Sequence, residues 1–230
     1  DIYWGEGDDV GSTVPRAELR SGTGVPTKGI MIHALIIDGD GVAITRGKRF
    51  SDRIAAEYGI TPETTAPFFA EVFRDCTVGK KDLKKELERY HRSWGWQGTL
   101  SELLHFWFSN EGTHNTEMLA VLAKLREGGI PVYLATDNEK YRTDYIVNKF
   151  DLGKHFDAVF SSAFIGFRKE DAGFWDYAKT VLKCSPSDTL VWDDERENLD
   201  MARRQGFKTE RFTSMDDFTS TMHDYFPDTF

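Results

Sequence analysis

Apolar residues occur along the chain in short runs that alternate with longer amphipathic segments. Four runs have the length and composition of strands buried on both faces, namely 34–37, 132–135, 158–160 and 190–192. Segments with apolar residues three or four positions apart, typical of helices, lie at 118–125, 171–183 and 196–205. Because strand and helix patterns alternate, the sequence predicts a doubly wound, Rossmann-like α/β core with a parallel sheet and right-handed crossovers.

The segment 46–115 interrupts this alternation, because it contains several helical patterns and no strand-like run. Two apolar stripes at helical spacing are formed by Phe50, Ile54 and Tyr58, and by Leu83, Leu87, Tyr90 and Trp94. Thr99 and Glu102 have the spacing of a capping box, which predicts the start of a third helix. We therefore expect an all-helical insertion, 46–115, in a core formed by 31–45 and 116–230.

The first thirty residues differ in composition from the rest of the chain. They include six Gly and two Pro, which predicts a flexible N-terminal tail over 1–30. They lack the basic start and apolar centre of a secretory signal. Met31 stands directly before the first strand-like run and is a candidate natural start.

Side chains suited to catalysis follow, or lie near, the end of each predicted strand. They are Asp38 and Asp40, Thr136 and Asp137, Lys169, and Asp193 and Asp194, in the order of the four strands. Ligands of open parallel sheets bind beyond the carboxyl ends of the strands, so we expect these side chains to lie together. Clustered carboxylates repel one another unless a cation lies among them, and Mg²⁺ prefers such oxygen ligands. The sequence therefore predicts Mg²⁺ as cofactor.

These residue types suit the transfer of a phosphoryl group. Asp38 can attack phosphorus and form an aspartyl-phosphate, while Asp40 can protonate the leaving oxygen and later activate water. Lys169 and the hydroxyl of Thr136 can hold the phosphate oxygens that the metal ion does not bind.

The order and context of these residues resemble the haloacid dehalogenase superfamily, and within it the Mg²⁺-dependent phosphatases that carry a helical cap after the first strand. The resemblance covers about 31–213. Segments 134–138, 166–169 and 196–206 are similar to those of cap-bearing sugar-phosphate phosphatases and of the phosphatase domain of some epoxide hydrolases.

The resemblance implies a role for each candidate residue. Asp38 would be the nucleophile and a metal ligand, and Asp40 would be the acid/base, with its backbone carbonyl on the metal. Thr136 and Asp137 would lie at the substrate phosphate, and Lys169 would steady both nucleophile and phosphate. Aspartates 193 and 194 would hold Mg²⁺. Asn198 completes the spacing of the family motif without a role that the sequence assigns.

Three residues depart from the family pattern. Asp137 stands where Asn is common, Glu170 follows Lys169 where Pro is common, and Gly39 fills a position that usually holds a bulkier residue. If the Asp137 side chain faces inward, it adds negative charge beside the phosphate. None of the three departures removes a catalytic group.

Three alternatives to the phosphatase remain open. A 2-haloacid dehalogenase would use the same fold without metal, but Asp40 argues against it because a halide leaves without a proton. A phosphosugar mutase would use the same residues and exclude water better. A catalytically silent module would bind a metabolite or protein through the insertion, which the retained acids and Lys169 disfavour.

Charge and composition limit the partners and the location of the protein. Lys and Arg number 29 against 38 Asp and Glu, and the net charge of −9 argues against binding to nucleic acid. No apolar stretch approaches the ~20 residues of a spanning helix. Cys76 and Cys184 lack metal-ligand spacing and favour a reducing cytoplasm. We expect a small phosphorylated metabolite as substrate.

Other conspicuous side chains in the insertion receive mostly structural interpretations. We expect the lysine cluster, which consists of Lys80, Lys81, Lys84 and Lys85, to lie mainly in water. Most aromatic residues should pack in the interior of the insertion. Trp94 and Trp96, on either side of Gly95, are the candidates for lining a substrate pocket.

Overall fold

A five-stranded parallel sheet forms the centre of the molecule in a computed structural model that describes residues 31–227 and 229. The strands are β1 (Ala34–Asp38), β4 (Val132–Thr136), β5 (Ala158–Ser161), β6 (Thr189–Asp193) and β7 (Lys208–Arg211), and their spatial order is β5-β4-β1-β6-β7. The predicted α/β core and its four strands are confirmed. The prediction of a flexible tail over 1–30 lies outside the described residues.

The fifth strand, β7, was not predicted. Its sequence is Lys-Thr-Glu-Arg, and among the described strands it pairs only with β6, which makes it an edge strand of the sheet. An edge strand keeps one side in water, so its residues need not be apolar. The hydrophobic pattern therefore carries no signal for this strand.

Helices cover both faces of the sheet. The core helices are α6 (Thr116–Glu127), α7 (Lys140–Asp144), α8 (Ser162–Ile165), α9 (Ala172–Val181), α10 (Arg196–Arg204) and α11 (Met215–Tyr225), and a π-helical turn, Tyr145–Lys149, continues α7. Leu35 and Ile37 of β1 face α6 and α11, whereas Ala34 and Ile36 face α9 and α10. The alternation of side chains along each strand thus builds two separate apolar layers.

The insertion is helical and has its own apolar interior. Its helices are α1 (Phe50–Tyr58), α2 (Pro62–Phe68), α3 (Arg74–Thr77), α4 (Leu83–Tyr90) and α5 (Leu100–Phe108), and a π-helical turn, Phe69–Phe73, joins α2 to α3. The capping box at Thr99 and Glu102 starts α5 as predicted. Buried side chains from all five helices meet in one cluster that is separate from the two layers of the core.

The expectation that 46–115 contains no strand is wrong. Two antiparallel strands of three residues each, β2 (Ile44–Arg46) and β3 (Gly112–His114), pair where the insertion leaves and rejoins the core. A Cβ at Gly112 would lie 2.5 Å from the Thr45 carbonyl oxygen, so this close approach needs glycine. Strands this short give no periodic pattern, which is why the sequence analysis missed them.

The insertion packs against the core on the side of α7 and α8. Asp82 accepts hydrogen bonds from Lys140 Nζ at 2.7 Å and from the Tyr141 hydroxyl at 2.8 Å. Ser162 Oγ donates to the Thr77 carbonyl oxygen at 2.5 Å. Of the lysine cluster, Lys81 pairs with Asp75, and Lys84 Nζ lies 4.2 Å from the centre of the Tyr141 ring.

The two tryptophans named as pocket candidates lie in the interior of the insertion, where each exposes 6% of its surface or less. Trp96 also lines a surface cavity of about 540 Å³ together with Tyr58 and Phe106. None of the predicted catalytic or metal-binding residues lines this cavity. Trp94 does not line it either. No helix within 31–227 is both long enough and apolar enough to cross a membrane.

Candidate active site

The central strands bring three candidate residues together because each is the last residue of a strand. Asp38 ends β1, Thr136 ends β4 and Asp193 ends β6. Ile37 pairs with Trp192, so Asp38 and Asp193 end neighbouring strands at the same level. All three side chains are buried. This confirms the expectation that these residues lie together at the carboxyl ends of the strands.

Lys169 links the two buried aspartates. Its Nζ donates to Asp38 Oδ1 at 2.5 Å and to Asp193 Oδ2 at 2.7 Å, and only 3% of the residue is exposed. Burial alone would lower the pKa of Lys169, but the attraction of Asp38 and Asp193 outweighs burial and raises it. The lysine is therefore a permanent cation between two acids.

Three carboxylates at this edge can hold a metal ion. Asp38, Asp193 and Asp194 each offer an oxygen, and the three oxygens lie within 4.8 Å of one another. Asp194 Oδ1 is buried and has no hydrogen-bond partner among the described residues. Burial raises the pKa of Asp38 well above its usual value, although Lys169 opposes this effect. A bound cation would satisfy the unpartnered oxygen and favour the ionised form of Asp38, so the site fits a hard divalent ion.

Asn198 orients Asp193, a role that the sequence analysis did not assign. Its side-chain amide lies 3.1 Å from each carboxylate oxygen of Asp193, and the backbone N–H of Glu195 donates to Asp193 Oδ1 at 2.8 Å. With Lys169 on Oδ2, the carboxylate is fixed on several sides. Such fixed carboxylates are typical of metal sites with ordered outer-shell partners.

Asp40 lies close to this group, in a more exposed position. Asn138 Nδ2 donates to Asp40 Oδ2 and to Thr136 Oγ1, both at 2.6 Å. Arg142 Nη2 donates to Asp40 Oδ1 at 3.3 Å. Neither Asn138 nor Arg142 was assigned a role from the sequence, although Asn138 stands only two residues after Thr136, at the same strand end.

The loop between Asp38 and β2 depends on two glycines. Gly41 has a φ of 108°, and a Cβ there would lie 2.7 Å from Asp194 Oδ2 and 2.6 Å from Arg46 Nε. Arg46 Nη2 lies 3.0 Å from Asp194 Oδ2 and donates to the Asp40 carbonyl oxygen at 3.1 Å. A Cβ at Gly39 would lie 3.2 Å from Thr136 Oγ1, so this glycine allows Thr136 to approach closely.

Two departures from the expected pattern have identifiable contacts. The carboxylate of Asp137 accepts hydrogen bonds from the backbone N–H of Lys169 at 3.0 Å and from Arg168 Nε at 3.4 Å. The Asp137 carboxylate is therefore hydrogen-bonded to the loop that carries Lys169. Glu170 forms an ion pair with Arg74 of the insertion. The residue that stands where Pro is common therefore connects the lysine loop to the insertion.

Sequence comparison identifies related proteins. The profile of the haloacid dehalogenase-like hydrolases matches residues 32–206. The sesquiterpene phosphatase astK of Aspergillus oryzae is 28% identical over 95 residues, which make up 40% of this chain and 47% of that protein. The drimenol cyclase drtB of Aspergillus calidoustus is 27% identical over 99 residues, or 43% of this chain and 19% of that protein. The matches thus span less than half of either relative.

Solved structures share the fold of the chain. A HAD family enzyme from Bacteroides thetaiotaomicron, crystallised with magnesium and inorganic phosphate, has a TM-score of 0.71 at 19% identity. The superposition covers 83% of this chain and 98% of that one. The L-2-haloacid dehalogenase of Xanthobacter autotrophicus has a TM-score of 0.57 at 17% identity and covers 84% of this chain and 82% of its own.

Proposed function

Because the chain belongs to the haloacid dehalogenase-like hydrolases, we propose that it is a Mg²⁺-dependent phosphatase of small phosphomonoesters. The observation that carries the proposal is the different surroundings of two aspartates. Asp38 is buried against Lys169, whereas Asp40 is more exposed and is held by Asn138 and Arg142. One carboxylate is placed to attack and the other to transfer protons.

The first step transfers the phosphoryl group to the protein. A carboxylate oxygen of Asp38 forms a bond to phosphorus while the bond from phosphorus to the ester oxygen breaks. Protonated Asp40 gives its proton to that oxygen, and the alcohol leaves. The product on the protein is an aspartyl-phosphate at Asp38.

The second step returns the protein to its starting state. Asp40, now ionised, takes a proton from a water molecule, and the water oxygen attacks phosphorus. The bond between phosphorus and Asp38 breaks, and inorganic phosphate is released. Asp40 is again protonated for the next ester, so protons and electron pairs balance over the cycle.

Other residues hold the phosphate during both steps. Lys169 contributes a fixed positive charge beside Asp38. Thr136 Oγ1 accepts its hydrogen bond from Asn138, which leaves the hydroxyl proton free to donate to a phosphate oxygen. Asp137 contacts the backbone of Lys169, and we assign it to the positioning of this loop rather than to direct contact with substrate.

Asp38, Asp193 and Asp194 would hold Mg²⁺. The strongest support for this assignment is Asp194 Oδ1, which is buried and has no hydrogen-bond partner in the part of the chain that the structure describes. When bound, Mg²⁺ supplies positive charge that offsets the carboxylates and polarises a phosphate oxygen. Asn198 would keep Asp193 in the orientation that the ion requires.

Two substrate classes are supported by different observations. The segments that resemble sugar-phosphate phosphatases favour a phosphorylated sugar or a similar small metabolite. The similarity to a protein named sesquiterpene phosphatase favours an isoprenoid monophosphate instead. Both substrates are phosphomonoesters, so the chemistry at Asp38 and Asp40 is the same for either.

A phosphate-release assay tests the proposal. Purified protein is incubated with p-nitrophenyl phosphate, sugar phosphates and a farnesyl monophosphate, with Mg²⁺ or with EDTA. Asp38→Asn should abolish release. Asp157→Asn is the matched control, because Asp157 pairs with Arg126 just before β5, at the opposite edge of the sheet from the candidate site.

The outcomes separate the alternatives. Release that persists in EDTA or in Asp38→Asn contradicts the mechanism. Chloride release from 2-chloropropionate without metal indicates the dehalogenase, and conversion of one sugar phosphate into an isomer indicates the mutase. A folded protein that turns over none of these compounds indicates the silent binding module.

A further inference from the structure

Arg142 is a buried cation that contacts Asp40 and has no role in either reaction step described above. It is the third residue of helix α7, and 5% of it is exposed. Its backbone N–H donates to Glu139 Oε1 at 2.5 Å, which fixes the start of the helix. A buried guanidinium is costly unless its donors are satisfied, so its acceptors indicate what it is for.

The guanidinium reaches three acceptors in two parts of the molecule. Nη1 donates to the Phe108 carbonyl oxygen, at the end of α5, at 2.8 Å. Nη2 lies 3.3 Å from Asp40 Oδ1 and 3.5 Å from Glu111 Oε2. Phe108 and Glu111 belong to the segment that returns from the insertion to the core. Arg142 therefore lies between that segment and Asp40.

The two oxygens of Asp40 are held by different partners. Arg142 contacts Oδ1, and Asn138 contacts Oδ2 at 2.6 Å. A carboxylate held at both oxygens cannot rotate freely about its Cβ–Cγ bond, and each oxygen still has a second lone pair for a proton. Charge-assisted hydrogen bonds from a planar guanidinium are well suited to fixing such an orientation.

In the reaction proposed above, on which this step rests, we propose that Arg142 is a positioning residue that aims Asp40 at the leaving oxygen of the ester. It acts through Asp40 and touches neither the phosphate nor the nucleophile. Its anchor at Phe108 ties the direction of Asp40 to the position of the insertion. Without Arg142, the Asp40 carboxyl group is still present but is no longer held in this direction.

This role predicts a dependence on the leaving group. Phenyl phosphate and p-nitrophenyl phosphate are similar in shape, but phenolate is the poorer leaving group because the nitro group stabilises negative charge. Protonation by Asp40 therefore matters more for phenyl phosphate. Loss of a general acid typically costs ~10²–10⁴ in rate when the leaving group needs the proton.

Arg142→Gln, Arg142→Lys, Asp40→Asn and a matched control are compared on both esters. Arg53→Gln is the control, because Arg53 is equally buried and donates to the Phe106 and Trp107 carbonyls of the same α5 helix, at 2.7 and 3.4 Å. In the described part of the chain, its guanidinium forms neither a hydrogen bond nor an ion pair with Asp40. Arg53→Gln therefore removes a buried positive charge next to α5 but leaves the contacts of Asp40 in place.

We expect Arg142→Gln to lower kcat/KM for phenyl phosphate on the order of tenfold more than for p-nitrophenyl phosphate. Asp40→Asn should show a larger preference of the same sign. Arg142→Lys, which keeps the charge but loses the planar fork, should fall between wild type and Arg142→Gln, and it provides the test if Arg142→Gln does not fold. Arg53→Gln should lower both rates by one common factor.

The variants distinguish two kinds of failure. If neither ester is hydrolysed by the wild-type protein, the proposed function fails. If Asp40→Asn lowers both rates equally, the phosphatase function stands, but the acid role of Asp40 fails and the inference about Arg142 fails with it. If Asp40→Asn is selective but Arg142→Gln and Arg142→Lys lower both rates equally, Arg142 is structural only. A selective loss in Arg53→Gln also overturns the inference, because loosening α5 would then suffice.

Discussion

Gly79 allows the insertion to contact the core, and its replacement by Ala tests how closely the two must approach. The residue lies between α3 and α4 with a φ of 70°. A Cβ at this position would lie 2.3 Å from the carbonyl oxygen of Ala163 in α8. The obstacle is backbone, so neither side can yield by rotating a side chain.

The loss of folding stability expected for Gly79→Ala has two parts. A left-handed φ costs a residue with a Cβ about 1–2 kcal/mol. Overpacking adds about 1–3 kcal/mol, unless the insertion moves away and gives up the hydrogen bond from Ser162 to Thr77 and the ion pair between Asp82 and Lys140. We expect Gly79→Ala to lower the free energy of unfolding by about 2–5 kcal/mol.

Gly59 offers a control for the backbone cost. Its φ is 69°, and a Cβ there would meet nothing within 4 Å. Gly59→Ala should therefore cost about 1–2 kcal/mol. Urea unfolding of the two variants, followed by circular dichroism, isolates the steric contribution as the difference between them.

Activity provides a second readout of the same change. A displaced insertion would disturb the ion pair between Arg74 and Glu170, the residue next to Lys169. We expect Gly79→Ala to lower kcat/KM on the order of tenfold to a hundredfold while Gly59→Ala stays near wild type. Equal stability and equal activity of the two variants would refute the close approach at Ala163.

Two further predictions concern pH and metal binding. Burial raises the pKa of Glu139 from 4.5 to about 7, although the hydrogen bonds that its carboxylate accepts from two backbone N–H groups at the start of α7 lower it. Because this folded-state pKa lies above the unfolded value, the contribution of Glu139 to the free energy of unfolding is fully present below pH 4.5. It is lost as the pH rises through 7, and the loss amounts to about 3 kcal/mol. Glu139→Gln should flatten this part of the profile in urea unfolding from pH 4.5 to 8, and an unchanged slope would contradict the assignment. Asn198→Ala should weaken Mg²⁺ binding, measured by isothermal titration calorimetry, by roughly tenfold to a hundredfold, whereas unchanged affinity would show that the orientation of Asp193 does not matter.

The hydrophobic pattern predicted the core because each central strand is buried on both faces. Ala34 to Ile37 face helices on either side, so every residue of this run is apolar. The same reasoning explains why β7 was not predicted, because its residues are polar and it is an edge strand of the sheet. Strands β2 and β3 escaped because three residues are too few to show a period.

The candidate site was predicted where a residue's place on its strand decides its location. Asp38, Thr136 and Asp193 are the last residues of parallel strands, so all three lie at the carboxyl end of the sheet. Arg142 could not be found in this way, because its contact with Asp40 spans 102 positions and depends on how α7 packs. Asn198 was noticed through its spacing, but its partner became clear only from the direction of its amide.

The central claim is that Asp38 carries the phosphoryl group during turnover. Protein mixed with p-nitrophenyl phosphate and Mg²⁺ is quenched in acid within one turnover, digested and analysed by mass spectrometry. The account predicts that the peptide containing Asp38 gains the mass of one phosphoryl group, and that this gain is absent in Asp38→Asn and present in Asp157→Asn. Rapid phosphate release without a phosphorylated Asp38 peptide at any quench time, or with the phosphoryl group on another residue, would contradict it.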